Sequence, residues 1–211
     1  MTHEPTVFVV DDDPAIREAL EALFEATEIN FEMFSSGEAF LDAFDADRPG
    51  CLLLDLRMPG MDGLEVQKRL IERSASLPVI MLTAFGDVPT VVASMKSGAL
   101  DFLQKPFDTS QLLRQIRLAI DQDARNRGQR KRQTQLDGLL ETLTSREREV
   151  LELMVEGVST KSMAQQLGTS TDTVRNQRSS VLKKMEADST IELARMVTLL
   201  RPKEPSLQQS G

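Results

Sequence analysis

Three short runs in the first half of the chain, "TVFVV" (6–10), "CLLLD" (51–55) and "PVIMLTA" (78–84), are almost continuously apolar. A strand with one wet face alternates apolar and polar residues, whereas an unbroken run buries both faces, as strands of parallel sheets do. Helical spacing lies between the runs: Ile16, Leu20, Leu23 and Phe24 recur at i, i+4, i+7 and i+8. "INFEMF" (29–34) and "DFLQK" (101–105) read as two more strands, and helices are expected after the first four near 16–24, 36–46, 63–73 and 88–97, with a fifth at 109–121. Five strands alternating with five helices predict an α/β domain: a five-stranded, parallel, doubly wound sheet. The expected strand order is 2-1-3-4-5.

That rhythm stops at residue 121. Residues 122–141, "QDARNRGQRKRQTQLDGLLE", are polar, basic from Arg125 to Arg132, and lack a wide apolar stripe. They read as a linker, partly helical, and its charge as a solvated spacer; contact with DNA phosphate is the alternative. Four short helical segments then follow between 142 and 200. "LTSREREVLELMVEG" has a capping-box pattern, Thr144 with Glu147, and places Val150, Leu151 and Met154 on one face. "STKSMAQQLG" starts from Ser159, and "STDTVRNQRSSVLKKM" starts from Ser170 and turns Val174, Val181 and Met185 inward. "DSTIELARMVTLL" is the fourth, so this part is a small all-α domain. Residues 201–211, rich in Pro, Ser and Gln, read as a disordered tail.

Charge separates the two parts. Residues 1–121 hold 10 Lys and Arg against 21 Asp and Glu, whereas residues 122–211 hold 15 against 12. An acidic module joined to a mildly basic one points to different partners, with any nucleic-acid contact local to the second. No apolar run approaches the roughly 18 residues of a membrane span. The N-terminal stretch sets an acidic cluster right behind its first apolar run, unlike a secretory leader, so a cytoplasmic protein without membrane contact is expected. Cys51 is the single cysteine, which excludes an internal disulfide; the single histidine, His3, is no partner for it, and a buried structural thiol is expected.

The strand ends carry the chemistry. In an open α/β sheet, ligands bind beyond the carboxyl ends of the strands. The first strand ends in Asp11, Asp12 and Asp13, the third in Asp55, the fourth in Thr83 and the fifth in Lys105, before Pro106. Carboxylates gathered on one rim repel unless a cation sits among them, and hard oxygen donors at a partly hydrated position suit Mg²⁺. Asp55 can then attack phosphorus to form an aspartyl-phosphate. Lys105 and Thr83 supply a positive charge and a hydroxyl for the incoming oxygens.

The motifs "VVDDD", "LLLDLRMPGMDG", "VIMLTAFGD" and "GALDFLQKPF" together resemble the receiver domain of two-component response regulators, over about residues 5–121. The resemblance implies phosphorylation of Asp55 by a histidine kinase, and Mg²⁺ held by Asp11, Asp12, Asp55 and the backbone carbonyl of Arg57. The acidic pair falls on Asp11 and Asp12 by the family's spacing to Arg17, leaving Asp13 as a neighbour. Thr83 and Phe102 match the family's switch pair, with plain core as the other reading of Phe102. A cis peptide between Lys105 and Pro106 is also implied.

Residues 143–196 resemble the LuxR-type helix-turn-helix, in the form found in the NarL/FixJ response regulators. By that resemblance the helix near 171–185 lies in the major groove of double-stranded DNA, presenting Asp172, Arg175, Asn176, Ser179 and Lys183 on one face. Arg175 and Asn176 suit base edges, whereas Lys161, Lys183 and Arg178 suit phosphate. Many relatives carry a histidine where Gln177 stands and a basic residue where Ser179 stands, so their sequence preference does not transfer. The helix near 189–200 pairs two copies in this family, through Ile191, Ala194 and Val197, which could equally be core.

The expectation is a transcription regulator, not an enzyme, switched by phosphorylation and dimerising when phosphorylated. Two alternatives stand beside it. One is a constitutive DNA-binding dimer whose receiver only docks. The other is a Mg²⁺-dependent aspartyl-phosphate phosphatase, whose motif would use Asp11 and Asp13.

Overall fold

The computed structural model describes residues 4–73, 75–83 and 98–200. The expected helix near 88–97, His3 and the tail at 201–211 lie outside these residues. The chain divides into two compact units, Met1–Arg127 and Gly128–Gly211, and each is described by itself.

In the first unit, strands β1 (Thr6–Val10), β2 (Phe31–Phe34), β3 (Gly50–Asp55), β4 (Val79–Thr83) and β5 (Asp101–Gln104) form one sheet. Its order is β2-β1-β3-β4-β5, the order expected above, and every pair is parallel, as the alternation of strands and helices predicts. Helices α1 (Pro14–Ala26), α2 (Gly37–Ala43) and α3 (Gly63–Glu72) follow the first three strands, and α4 (Thr109–Glu141) follows β5. Side chains alternate across the sheet. Phe8, Val10, Leu52, Leu54 and Met81 pack with Phe40 of α2 and with Val66 and Leu70 of α3. Val7, Val9, Cys51, Leu53, Ile80 and Leu82 pack on the opposite face with Leu20 and Phe24 of α1 and Leu112 and Ile116 of α4. Every residue of β1 and β3 is buried, which is why those runs show no polar alternation. Each such Val, Leu or Phe contributes roughly 1.5–3 kcal/mol by leaving water.

The stretch expected as a linker is helical throughout, because α4 continues to Glu141. Polar contacts hold its middle. Asp123 is 1 % exposed and accepts from the backbone N–H of Gly50 at 2.9 Å and from Arg127 Nε at 2.7 Å. Arg127 also donates to the carbonyls of Ala46, Asp47 and Arg48, the loop before β3. The packed unit accordingly runs to Arg127 rather than ending at 121.

The second unit contains the last part of α4 with α5 (Ser145–Val155), α6 (Thr160–Gln166), α7 (Thr171–Lys184) and α8 (Thr190–Leu200). Thr144, Ser159 and Ser170 each cap a helix through the side chain, and Thr144 with Glu147 completes a capping box. Val150, Leu151, Met154, Val174, Val181 and Met185 are buried as expected, with Met163, Leu193 and Val197 beside them. Leu136 of α4 is buried in the same cluster, so the end of that helix belongs to this unit.

Candidate functional site

The first site is built at the carboxyl edge of the sheet. β1 and β3 are neighbours, with Val10 opposite Leu54, so Asp11 leaves the sheet beside Asp55, the last residue of β3. One carboxylate oxygen from each of Asp11, Asp12 and Asp55 lies within 4.8 Å of the others. Asp11 is fully buried, Asp55 nearly so, and Asp12 exposed. Asp13 does something else: its side chain accepts from Ala15 N at 2.9 Å and caps α1, with Pro14 in the first turn. The acid that the phosphatase alternative needs beside Asp11 is thus engaged in capping. Arg17 donates to the Asp11 carbonyl at 2.6 Å, fixing the turn after β1.

Lys105 reaches the same point from beyond β5. Its Nζ donates to Asp11 Oδ2 at 2.6 Å and to Asp55 Oδ2 at 2.8 Å. Its backbone N–H bonds the Thr83 carbonyl at 2.8 Å, and the following peptide to Pro106 is cis. Thr83, at the end of β4, is buried between β3 and β5. Phe102 is 42 % exposed, on β5 at the sheet's edge, and so is not core. Arg57 N donates to Asp55 Oδ1 at 3.2 Å, placing the loop after β3 against the carboxylate. That loop returns tightly: a Cβ on Gly63 would meet the Asp55 carbonyl oxygen at 2.5 Å, so only glycine fits there.

The electrostatics follow from burial and this pairing. Burial pushes the Asp11 carboxyl up, and the Lys105 ammonium beside it only partly offsets that. For Lys105, burial acts downward, but the bonds to Asp11 and Asp55 outweigh it and its pKa rises. The site therefore holds a cationic lysine among three acids. Three hard oxygen donors at this spacing, one open to water, are a donor set that a small divalent cation fits. Cys51 plays no part; burial, then the charge of Asp123, pushes its thiol up to about 12.

The second site is the exposed face of α7. Arg175, Asn176, Ser179 and Lys183 are exposed along it, as is Lys161 near the start of α6. Arg175 is paired with Asp172 at 2.5 Å. Arg178 is turned back into its own unit, where it donates to Thr190 Oγ1 at 3.3 Å and touches Met163 Sδ at 3.9 Å. Beneath α7, Glu147 accepts from Ser180 Oγ at 2.5 Å and from Lys184 Nζ at 2.7 Å, while keeping its capping bond to Thr144 N at 2.8 Å. The Lys184 and Ser180 bonds, then the capping bond, hold its carboxyl down at about 2. The sequence suggested the cap but not this staple, which joins residues 33 and 37 positions apart. On α8, Val197 is core, whereas Ile191 is 76 % exposed.

Residues 7–117 match the response regulator receiver domain, and residues 141–197 match the luxR family of bacterial regulatory proteins. The transcriptional regulatory protein FixJ of Azorhizobium caulinodans is 42 % identical over 193 residues, 92 % of each chain. Among solved structures, the response regulator StyR superposes with a TM-score of 0.83 at 39 % identity, covering 93 % of this chain and 99 % of that one. Full-length FixJ from B. japonicum gives a TM-score of 0.59 at 36 % identity, covering 93 % and 97 %. The chain belongs to the two-component response regulators of the NarL/FixJ family, whose members are transcription regulators. Among the described residues, no helix is long and apolar enough to cross a membrane.

Proposed function

We propose that a cytoplasmic histidine kinase partner phosphorylates Asp55 and that this switches the second unit's binding to double-stranded DNA. The observation that carries the reading is the convergence of Asp11, Asp12 and Asp55 on one rim with Lys105 Nζ between two of them. An Asp55 carboxylate oxygen attacks the phosphorus of the kinase's phosphohistidine. The P–O bond forms as the P–N bond breaks, and the imidazole leaves with the bonding pair and takes up a proton. Lys105 turns to a phosphoryl oxygen, and the Thr83 hydroxyl donates to another. Asp11, Asp12, Asp55 and the Arg57 carbonyl would hold Mg²⁺, which would neutralise charge on the transferred group.

Thr83 and Phe102 carry the change outward. Phosphorylation binds one of two existing states more favourably and shifts the population towards it. The favoured state pairs two copies, aided by the exposed Ile191, and sets two α7 helices in successive major grooves about 34 Å apart. Arg175 and Asn176 meet base edges; Lys161, Lys183 and Ser179 meet the backbone, and Arg178 braces the helix from within. Genomic footprints retained by the purified chain, with and without a small phosphodonor, test the whole reading. Tighter retention with donor in the native chain, and none in Asp55→Asn, is expected. Equal retention in both conditions would return the account to a constitutive dimer with a docking receiver.

A further inference from the structure

We infer that Asp172 on α7 is a specificity-determining residue of the DNA-binding face: it accepts a hydrogen bond from a cytosine amino group while it holds Arg175 on a neighbouring guanine. The inference rests on the reading of α7 as the helix that enters the major groove, and it deepens that reading by naming the base step.

Three observations support it. Asp172, Arg175, Asn176, Ser179 and Lys183 recur at i, i+3, i+4, i+7 and i+11, so they share one face of α7. Arg175 Nη1 donates to Asp172 Oδ1 at 2.5 Å, yet the two side chains are 69 % and 80 % exposed. An ion pair so open to water contributes little to stability, and holding the fold does not explain it. Asp172 is also the single acid of α7.

An acid in the first turn also favours the helix dipole. At the position of Thr173 it would do so equally well from off the shared face; at 172 it faces a polyanion and weakens binding everywhere unless a base compensates. The pair has the chemistry for that. Its bond engages Nη1 and leaves the edge formed by Nε and Nη2 for the O6 and N7 acceptors of guanine. Asp172 Oδ2 suits the cytosine amino group, and would meet only acceptors where guanine or thymine stands. Adenine offers an amino group too, but beside the N7 acceptor, which an amide matches and a carboxylate does not. Three residues of helix advance about 4.5 Å, close to the roughly 3.4 Å between stacked base pairs, so the two side chains reach adjacent steps.

The test uses the full chain, treated with phosphodonor and Mg²⁺, and a pool of duplexes with a randomised segment, from which the retained sequences are read. The native chain should enrich guanine beside cytosine, with cytosine favoured about ten-fold over other bases at its position. Asp172→Asn should keep the guanine and replace the cytosine by adenine, because a carboxamide matches adenine N6 and N7. Arg175→Ala should lose the preference for guanine. A new preference, unlike a loss, does not follow from a weakened helix. A native motif without that step, cytosine retained by Asp172→Asn, both positions flattened together in that variant, or guanine retained by Arg175→Ala would each overturn the inference while leaving the DNA-binding reading in place. A native chain that enriches no sequence would overturn both.

Discussion

Replacing Glu147 by glutamine should loosen the second unit, by an amount the structure allows to be worked out. The carboxylate is buried and accepts from Lys184 Nζ at 2.7 Å, Ser180 Oγ at 2.5 Å and Thr144 N at 2.8 Å, which hold its pKa at about 2 against an ordinary 4.5. At about 1.4 kcal/mol per unit, that difference corresponds to roughly 3 kcal/mol favouring the ionised form in the folded state. Lys184 is a third exposed and recovers water when its partner is lost, so about 2 kcal/mol is the expected cost at pH 7. The sign follows from linkage: a carboxyl depressed on folding stabilises fully above 4.5, and the contribution drains away as the pH falls from there towards about 2. The difference between native chain and Glu147→Gln should therefore shrink to below about 1 kcal/mol at pH 3. Peroxide oxidation in a urea series, followed at Met154, Met163 and Met185 by peptide mapping, reads this unit, because these side chains are buried in its core and oxidise only on opening. A variant as stable as the native chain at pH 7, or a deficit equally large at pH 3, would refute the staple as an energetic link between α5 and α7.

Other perturbations test other joints. Lys105→Met removes a cation bonded to both Asp11 and Asp55, so Mg²⁺ affinity measured by titration calorimetry should rise at least about ten-fold, because a unit charge near 4 Å opposes a divalent ion by about 2 kcal/mol even at the dielectric of water; unchanged affinity would contradict the pairing. Gly63→Ala would set a methyl group 2.5 Å from the Asp55 carbonyl oxygen and should cost about 2 kcal/mol or more in urea unfolding of the first unit. Arg127→Ala leaves the buried Asp123 carboxylate without its cation and should destabilise that unit by about 3 kcal/mol. Restoration of stability by Asp123→Asn in the same chain is the check.

The sheet was legible because continuous apolar runs have few other uses in a chain with helical spacing between them. The carboxylate rim was legible because strand ends gather in space whatever separates them in sequence. What escaped was held by polar contacts, which leave no periodic trace. Residues 122–127 have no apolar stripe, yet Asp123 and Arg127 bind them to Gly50 and the loop before β3. Among Asp11, Asp12 and Asp13 the spacing to Arg17 singled out the first two, but the capping bond of Asp13 to Ala15 N left no sign in the sequence. Phe102 belongs to an apolar pair in "DFLQ", but its strand lies at the sheet's edge, where one face need not be covered. Arg178 lies on the polar side of α7 by sequence, while its length lets the guanidinium fold back to Thr190.

The most direct measurement locates the phosphoryl group. The native chain and Asp55→Asn are incubated with a small phosphodonor and Mg²⁺, the acyl phosphate is trapped by borohydride reduction, and peptides are mapped by mass spectrometry. Modification at Asp55 alone, abolished by Asp55→Asn and by chelating the metal, is the predicted result. Undiminished labelling of Asp55→Asn, or modification on another residue of the native chain, would contradict the claim that the gathered acids serve phosphoryl transfer to Asp55.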